Sequence, residues 1–483
     1  MNRNLQHLRN LWARSPTSRG REGPGIQIRD HSQSADCWCS GSQGSGVRQC
    51  AVFAPTIRSQ LFSMVSTHRS AWYHLYGDDP SVTAVFFRSV LNPHHLMEHP
   101  LMNPRKRPER AKELAVELWR AREFVRRGER HFVGDRRYDL QSISDGFASR
   151  IDDSDGDSDL FERICASYQK ASDQEQSAPE IYRASRWWQE RRQGHLKPVI
   201  AALLNGDIAA LRKMYINFYR DPCSAGLVIA QRLAKRYFRD RIKDLDRRLY
   251  LLDSLYRLDY WQKAMGDDCS VADLLGPSIG NPFGVMLDGV LVRPGAEYQH
   301  YCAGRISRLA GSVKSTVAEI GGGFGGMAYY LLRDRPRTTY IGFDVPESIA
   351  LTTYYLVKSF PEAKVLLYGE AELTETSISA ADIVLLPVFQ MPALRPRSVN
   401  VSFSSHAMSA LSQQAMTAYL DDVANMTKEY FLCFGKHHAL EAMSQRIRHK
   451  YPLWSLVEKH RSGRHDHRIE DFSEMEFGYR LPG

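Results

Sequence analysis

The rhythm of apolar and polar positions changes near residue 311. Upstream, from about 62 to 276, apolar residues recur every three or four positions. In 109–119, Leu114 and Leu118 share one face with the charges opposite, the spacing of an amphipathic helix. The stretches 200–219 and 227–265 repeat that spacing, which predicts a packed helical unit with Tyr215, Phe218, Tyr219 and Trp261 in its core. Downstream, short β-rich runs at 316–320, 339–343, 364–368, 382–388, 399–403 and 430–434 alternate with helical patterns from Gly325, over 347–360 and over 409–427. Strands alternating with helices predict an α/β fold, a Rossmann-like doubly wound parallel sheet. The expected organisation is a disordered tail over 1–55, a mostly helical accessory domain over 56–300, and the Rossmann-like domain over 301–483.

Composition narrows the function classes. Hydrophobic residues are 43% and charged residues 25% of 483, with 33 Gly and 22 Pro, which excludes collagen-like, wholly disordered and disulfide-scaffold chains. Apolar runs such as Ile383 to Leu386 stop far short of a membrane-spanning helix. The net charge of +9 invites a nucleic-acid partner, but part of the excess lies in the Arg-rich first sixty residues and no nucleic-acid motif accompanies the rest. None is therefore expected. Eight scattered cysteines without a paired framework fit a reducing, cytoplasmic location.

Two segments resemble metal sites without completing one, and no metal is expected. Cys37, Cys39 and Cys50 lack a fourth ligand at zinc spacing. The acidic run from Asp152 to Asp159 puts Ile151 where a calcium loop needs its first ligand once Gly156 is aligned with the sharp turn, so it reads as a solvated loop. The tail mixes Ser, Gly, Arg and Gln with few aliphatics and cannot offset its ordering entropy. Its acid-free, Arg-rich first 21 residues also have the composition of an organelle transit peptide.

The most informative stretch runs from Val317 through Glu319, Gly321, Gly323, Gly325 and Gly326 to Arg333, a strand passing through glycines straight into a helix. Backbone without Cβ turns tightly and lets a ligand approach the N–H groups at the helix start. Gly321, Gly323 and Gly326 also satisfy the dinucleotide fingerprint. Glu319 favours a different cofactor, because its carboxylate would repel a pyrophosphate and attract an ammonium such as that of S-adenosylmethionine. Asp344, ending the next strand, suits ribose hydroxyls, a feature shared with NAD enzymes.

The set Glu319, Gly321, Gly323, Gly325 and Asp344 resembles motif I and the second-strand acid of class I S-adenosylmethionine-dependent methyltransferases. More narrowly, Gly280-Asn-Pro-Phe-Gly284, Asp288-Gly289, Tyr298-Gln-His-Tyr-Cys302, the glycine stretch, Gly342 to Glu347 and Asp382 to Pro387 resemble a bacterial family of sugar O-methyltransferases, over roughly 138–479. The resemblance implies that Glu319 and the glycines hold the methionine portion of S-adenosylmethionine and Asp344 its ribose. The adenine would lie near Glu370 or near Phe389 and Gln390, and the acceptor would be a sugar or glycosylated metabolite.

Transfer to a hydroxyl needs alignment and a base. His406, in the loop leaving the strand that ends at Phe403, is the leading candidate. The resembling family tends to have Ser and a Glu-Met pair in this loop, a departure that bears on His406. His437 and His438 are alternatives. Asn281, Asp288, Tyr298 and His300, in a turn-rich stretch before the cofactor domain, are the acceptor-binding candidates; His465 and His467 read as a polar surface loop. The competing functions are an NAD-dependent oxidoreductase on the same glycine turn and a basic RNA-binding protein or RNA methyltransferase.

Overall fold

A computed structural model describes residues 107–151, 157–228, 244–266, 268–311, 314–462 and 474–483, all within one compact unit. The tail with its cysteines, the core of the acidic run at 152–156 and the loop histidines His465 and His467 lie outside the described residues.

The described part of the expected helical half is helical. It comprises α1 (Arg107–His131), α2 (Gln141–Gly146), α3 (Ser158–Glu175), α4 (Arg186–Gln193), α5 (Lys197–Asn205), α6 (Ile208–Tyr215) and α7 (Asp244–Met265). Tyr215, Phe218, Tyr219 and Trp261 are buried in its core as the periodicity predicts. A short hairpin follows, β1 (Val285–Leu287) with β2 (Val290–Val292), and then α8 (Ala296–Leu309). The turn-rich reading of this stretch stops at Gly295, which enters α8 in the left-handed region at φ 80°. Tyr298 and His300 are therefore helical residues. The boundary expected at 300 falls inside α8, whose Tyr301, Cys302 and Ile306 share one core with the sheet.

The sheet is built from β3 (Thr316–Ile320), α9 (Gly326–Asp334), β4 (Thr339–Asp344), α10 (Pro346–Ser359), β5 (Val365–Leu367), α11 (Glu375–Ser379), β6 (Ile383–Pro387), β7 (Val399–Ser405), α12 (Gln413–Met426), β8 (Thr427–Lys436), α13 (His437–Lys450), β9 (Ser455–Arg461) and β10 (Glu474–Arg480). Its order is β5-β6-β4-β3-β7-β8-β10-β9, parallel except that β10 runs antiparallel to both neighbours. Strand alternation divides the interior in two. Val317, Tyr340, Leu385 and Phe403 face α9 and α10, whereas Ala318, Ile341, Phe343 and Leu386 face α12 and α13.

The chain winds from β3 outward to the β5 edge and returns to lay β7 on the other side of β3. Connections from β3 and β7 therefore leave toward opposite faces, and the carboxyl ends of these two strands open a crevice where ligands bind in doubly wound sheets. Among the described residues no helix is long and apolar enough to cross a membrane.

Helix α4 is fastened across the carboxyl edge of the sheet by one arginine. Arg192 donates to both carboxylate oxygens of Glu347, at the start of α10, each at 2.8 Å, and to Glu175 at the end of α3 at 2.7 Å. Both carboxylates are buried. Removing the arginine strands two buried negative charges, a change of the kind that costs about 3 to 5 kcal/mol. We expect Arg192→Met to lower unfolding free energy by an amount in that range in chemical denaturation, and Glu175→Gln with Glu347→Gln in the same background to restore most of it.

Candidate functional site

The glycine turn is held in a shape that only glycine adopts freely. After Ile320, Gly321 and Gly323 sit in the left-handed region at φ 79° and 63°. A Cβ on Gly321 would overlap the methyl of Ala407, just beyond β7, so the turn and the β7 tip touch. Gly323 is 3.7 Å from the carbonyl of Leu227, measured from where its Cβ would stand, and its own carbonyl accepts the Thr352 hydroxyl at 2.6 Å. Gly325 opens α9 at φ 88°.

Two acids flank this turn. Glu319 faces the α9 side of the sheet, where the Tyr340 hydroxyl donates to it at 2.7 Å from the neighbouring strand. Glu319 pairs across the ladder with Gly342, whose missing side chain leaves room for the Tyr340 hydroxyl. Asp344 accepts the Gly323 N–H at 2.9 Å and the Val345 N–H at 2.8 Å. Burial pushes both carboxyls up to about 7, against the lowering effect of these hydrogen bonds. Among the described residues neither acid meets a cationic side chain at ion-pair distance, in contrast with Glu347 three residues on. The turn thus presents α9 N–H groups and an unneutralised buried carboxylate side by side.

The other wall is the β7 tip. The strand runs two residues beyond the expected end, through Ser405, and His406 follows at φ 64°. That backbone is fixed by the His406 N–H donating to Phe434 at 2.8 Å and by the Ser409 hydroxyl donating to the His406 carbonyl at 2.9 Å. Ser404 donates to the Ile320 carbonyl at 3.0 Å, tying the β7 tip to the end of β3. From α8, Tyr298 brings its hydroxyl to 2.8 Å from that of Ser405 and its ring to 6.2 Å from the His406 imidazole.

The crevice therefore gathers Glu319, Gly321, Gly323, Gly325, Asp344, His406 and Tyr298, and leaves three acceptor candidates elsewhere. Asn281, at φ 54°, is buried between loops, accepting the Arg150 N–H at 2.7 Å and donating to Asn217 at 2.8 Å. Asp288 occupies the β1–β2 turn at φ 48°, with an exposed side chain 3.3 Å from Arg136. His300 accepts the Trp261 indole N–H at 3.1 Å and packs edge-on against Tyr330; burial lowers its pKa. His437 and His438 are exposed at the start of α13.

For the adenine candidates, β6 lies next to β4, with Pro387 opposite Asp344. Phe389 and Gln390 thus follow the strand adjacent to the one that ends at Asp344. Glu370 instead follows the edge strand β5 and is paired with Arg163 at 2.7 Å. Ser405, Tyr340, Thr352 and Gln299, whose side chain lies against Gly326, were not singled out from sequence. Ser405 alone carried a signal, as the next residue in the β alternation after Phe403.

No protein-family profile matches this sequence, and no curated protein matches it. Solved structures with a similar arrangement include the small RNA methyltransferase HEN1, at 12% identity and TM-score 0.29 over 39% of this chain and 25% of that one. The glycopeptide N-methyltransferase MtfA complexed with sinefungin matches at 10% and 0.28, over 38% and 87% of the two chains. The N-methyltransferase NodS from Bradyrhizobium japonicum WM9, in complex with S-adenosyl-L-homocysteine, matches at 12% and 0.27, over 39% and 89%. The chain spans a quarter of HEN1.

The raised acids make stability pH-dependent. A carboxyl whose folded pKa exceeds its unfolded value favours the folded state most below the unfolded pKa, and that contribution is lost as pH rises through the folded one. For Glu319 the window is 4.5 to about 7. Glu319→Gln, which keeps shape and removes the titration, should therefore flatten the fall in thermal midpoint between these pH values relative to the unsubstituted protein in differential scanning calorimetry.

Proposed function

We propose that this chain is an S-adenosylmethionine-dependent methyltransferase acting on a hydroxyl group, with a sugar as acceptor. The observation that carries the donor assignment is Glu319, a buried carboxylate with no cationic partner among the described residues, beside a glycine turn at the switch point of the sheet. An ammonium there would neutralise it; a pyrophosphate would add a second negative charge in a low-dielectric pocket.

In this reading Glu319 and the turn at Gly321 to Gly325 hold the amino-acid end of the cofactor. Asp344 takes the ribose, and Phe389 with Gln390 borders the base. The cofactor supplies a methyl group already activated by its sulfonium. What the protein adds is alignment and removal of a proton. His406, with an imidazole whose ordinary range is near neutral, takes the proton of the acceptor hydroxyl, and Tyr298 with Ser405 orients that hydroxyl. The helical half, reaching the crevice through α8 and α4, forms the acceptor wall. The sugar rests on the sequence resemblance alone, since a fold hosts many acceptors. Among the described residues Cys165, Cys223, Cys269, Cys302 and Cys433 form no disulfide, which supports a cytoplasmic location.

Calorimetric titration with S-adenosylhomocysteine and with NAD tests the donor. We expect S-adenosylhomocysteine to bind, and Glu319→Ala to weaken it at least about tenfold through loss of a charged contact. Binding of NAD alone overturns the assignment in favour of an oxidoreductase. For the base, His406→Ala should lower kcat about 100-fold or more while S-adenosylhomocysteine affinity stays unchanged.

A further inference from the structure

The two acids of the crevice are satisfied in different ways, and the difference decides which of them can hold a proton. Asp344 accepts one backbone N–H on each oxygen, from Val345 on Oδ1 and from Gly323 on Oδ2. A backbone donor cannot turn round to accept, so these surroundings suit the anion alone. Glu319 instead meets a phenol, which donates to its Oε2. A hydroxyl both donates and accepts, so the Tyr340 group serves a carboxylate by donating and a carboxylic acid by rotating to accept its proton. Gly322 makes room for this pair: a Cβ there would stand 2.7 Å from Glu319 Oε2 and 3.0 Å from the Tyr340 oxygen.

Both acids are buried, and among the described residues no cationic side chain balances either. Across the ladder Glu319 has Gly342 on β4 and Phe403 on β7. The other ionisable groups around the crevice are few. Glu347, on α10, is already bonded to Arg192. The Tyr419 phenol of α12 is pushed up by burial and then by the Asp344 charge, and Tyr298 and His406 stand together at the β7 tip. Holding two neighbouring carboxylates out of water without a countercharge is costly enough that a proton is bound instead. Burial accordingly raises the Glu319 carboxyl to about 7, against the Tyr340 hydrogen bond, and the Asp344 charge adds to the rise.

The amino-acid end of S-adenosylmethionine would bring a positive charge to this carboxyl. We propose that the empty crevice keeps a proton on Glu319 and that the donor's ammonium, on binding, displaces it to solvent as the carboxylate–ammonium pair forms, so that pH governs donor affinity. This rests on the methyl-donor reading of the glycine turn. By linkage, a ligand that binds only the deprotonated form gains affinity as pH rises, by up to about tenfold per unit below the pKa of the displaced proton, and levels off above it. For Glu319 the rise ends at about pH 7. The site therefore holds its donor weakly in acid and fully at neutral pH, with no moving element.

Calorimetric titration of the full chain with S-adenosylhomocysteine, which carries the same ammonium, counts the protons released when it is repeated in buffers of different ionisation enthalpy. About one proton per ligand should leave at about pH 6 and few at about pH 8, and the dissociation constant should fall about tenfold or more between about pH 5.5 and 7.5. Glu319→Gln should release no proton, hold one affinity across that range, and come nearest to the unsubstituted protein at its acid end. Tyr340→Phe removes the hydrogen bond that favours the anion, so its affinity profile should move to higher pH. Binding without proton release overturns the proposal. So does a release that survives Glu319→Gln, whichever of Asp344→Asn and His406→Ala then removes it, and so does a Tyr340→Phe profile that stays in place or moves to lower pH. Absence of S-adenosylhomocysteine binding at every pH is a distinct outcome: there the donor reading falls, and the linkage with it.

Discussion

The reversal of winding at β3 is the constraint from which the site follows. The backbone leaving β3 turns toward α9 and that leaving β7 toward α12, so nothing in the sheet itself covers the two tips. Glycine is required where the first exit must pass beside Ala407. The ladder register then decides which side chains meet. Glu319 lies opposite Gly342 on one side and Phe403 on the other, so the one polar group able to reach it from β4 is the Tyr340 hydroxyl, over the gap that Gly342 leaves.

That arrangement leaves the crevice electrostatically unfinished. Two carboxyls are buried with hydrogen-bond donors but without a countercharge among the described residues, and their proton affinity rises accordingly. A few residues away the same helical half supplies Arg192 to neutralise Glu347. The difference is instructive: where the fold needs a carboxylate neutralised it places a guanidinium, and at Glu319 it places a phenol.

Much of this was legible in the sequence because the signals were local. Period-two runs marked the strands, the glycines marked the turn, and Glu319 was conspicuous as a charge in an apolar run. The acceptor candidates fared differently for a physical reason. Asn281 and Asp288 stood out as polar residues beside glycines, and the structure puts both at positive φ, a region these short polar side chains tolerate better than most. Their prominence reflects turn geometry. Tyr298 was found but placed in a turn, because Gly and Pro before Ala296 mask the start of α8. Tyr340 depends on its contact with Glu319 on the neighbouring strand, which no short window of residues records.

The insertion of β10 between β8 and β9 bears on how the chain reaches this state. Among the described residues strand β9 has no neighbour in the sheet except β10, so when β9 is synthesised its place beside the sheet does not yet exist. Buried Glu476, on β10, supplies the acceptor for the Tyr301 hydroxyl of α8; that phenol has no such partner until the last strand is in place. Pairing across this sequence separation carries a loop-closure penalty before it returns any contact. Until β10 enters, the β8 edge keeps a row of unpaired backbone groups of the kind that other chains can pair with.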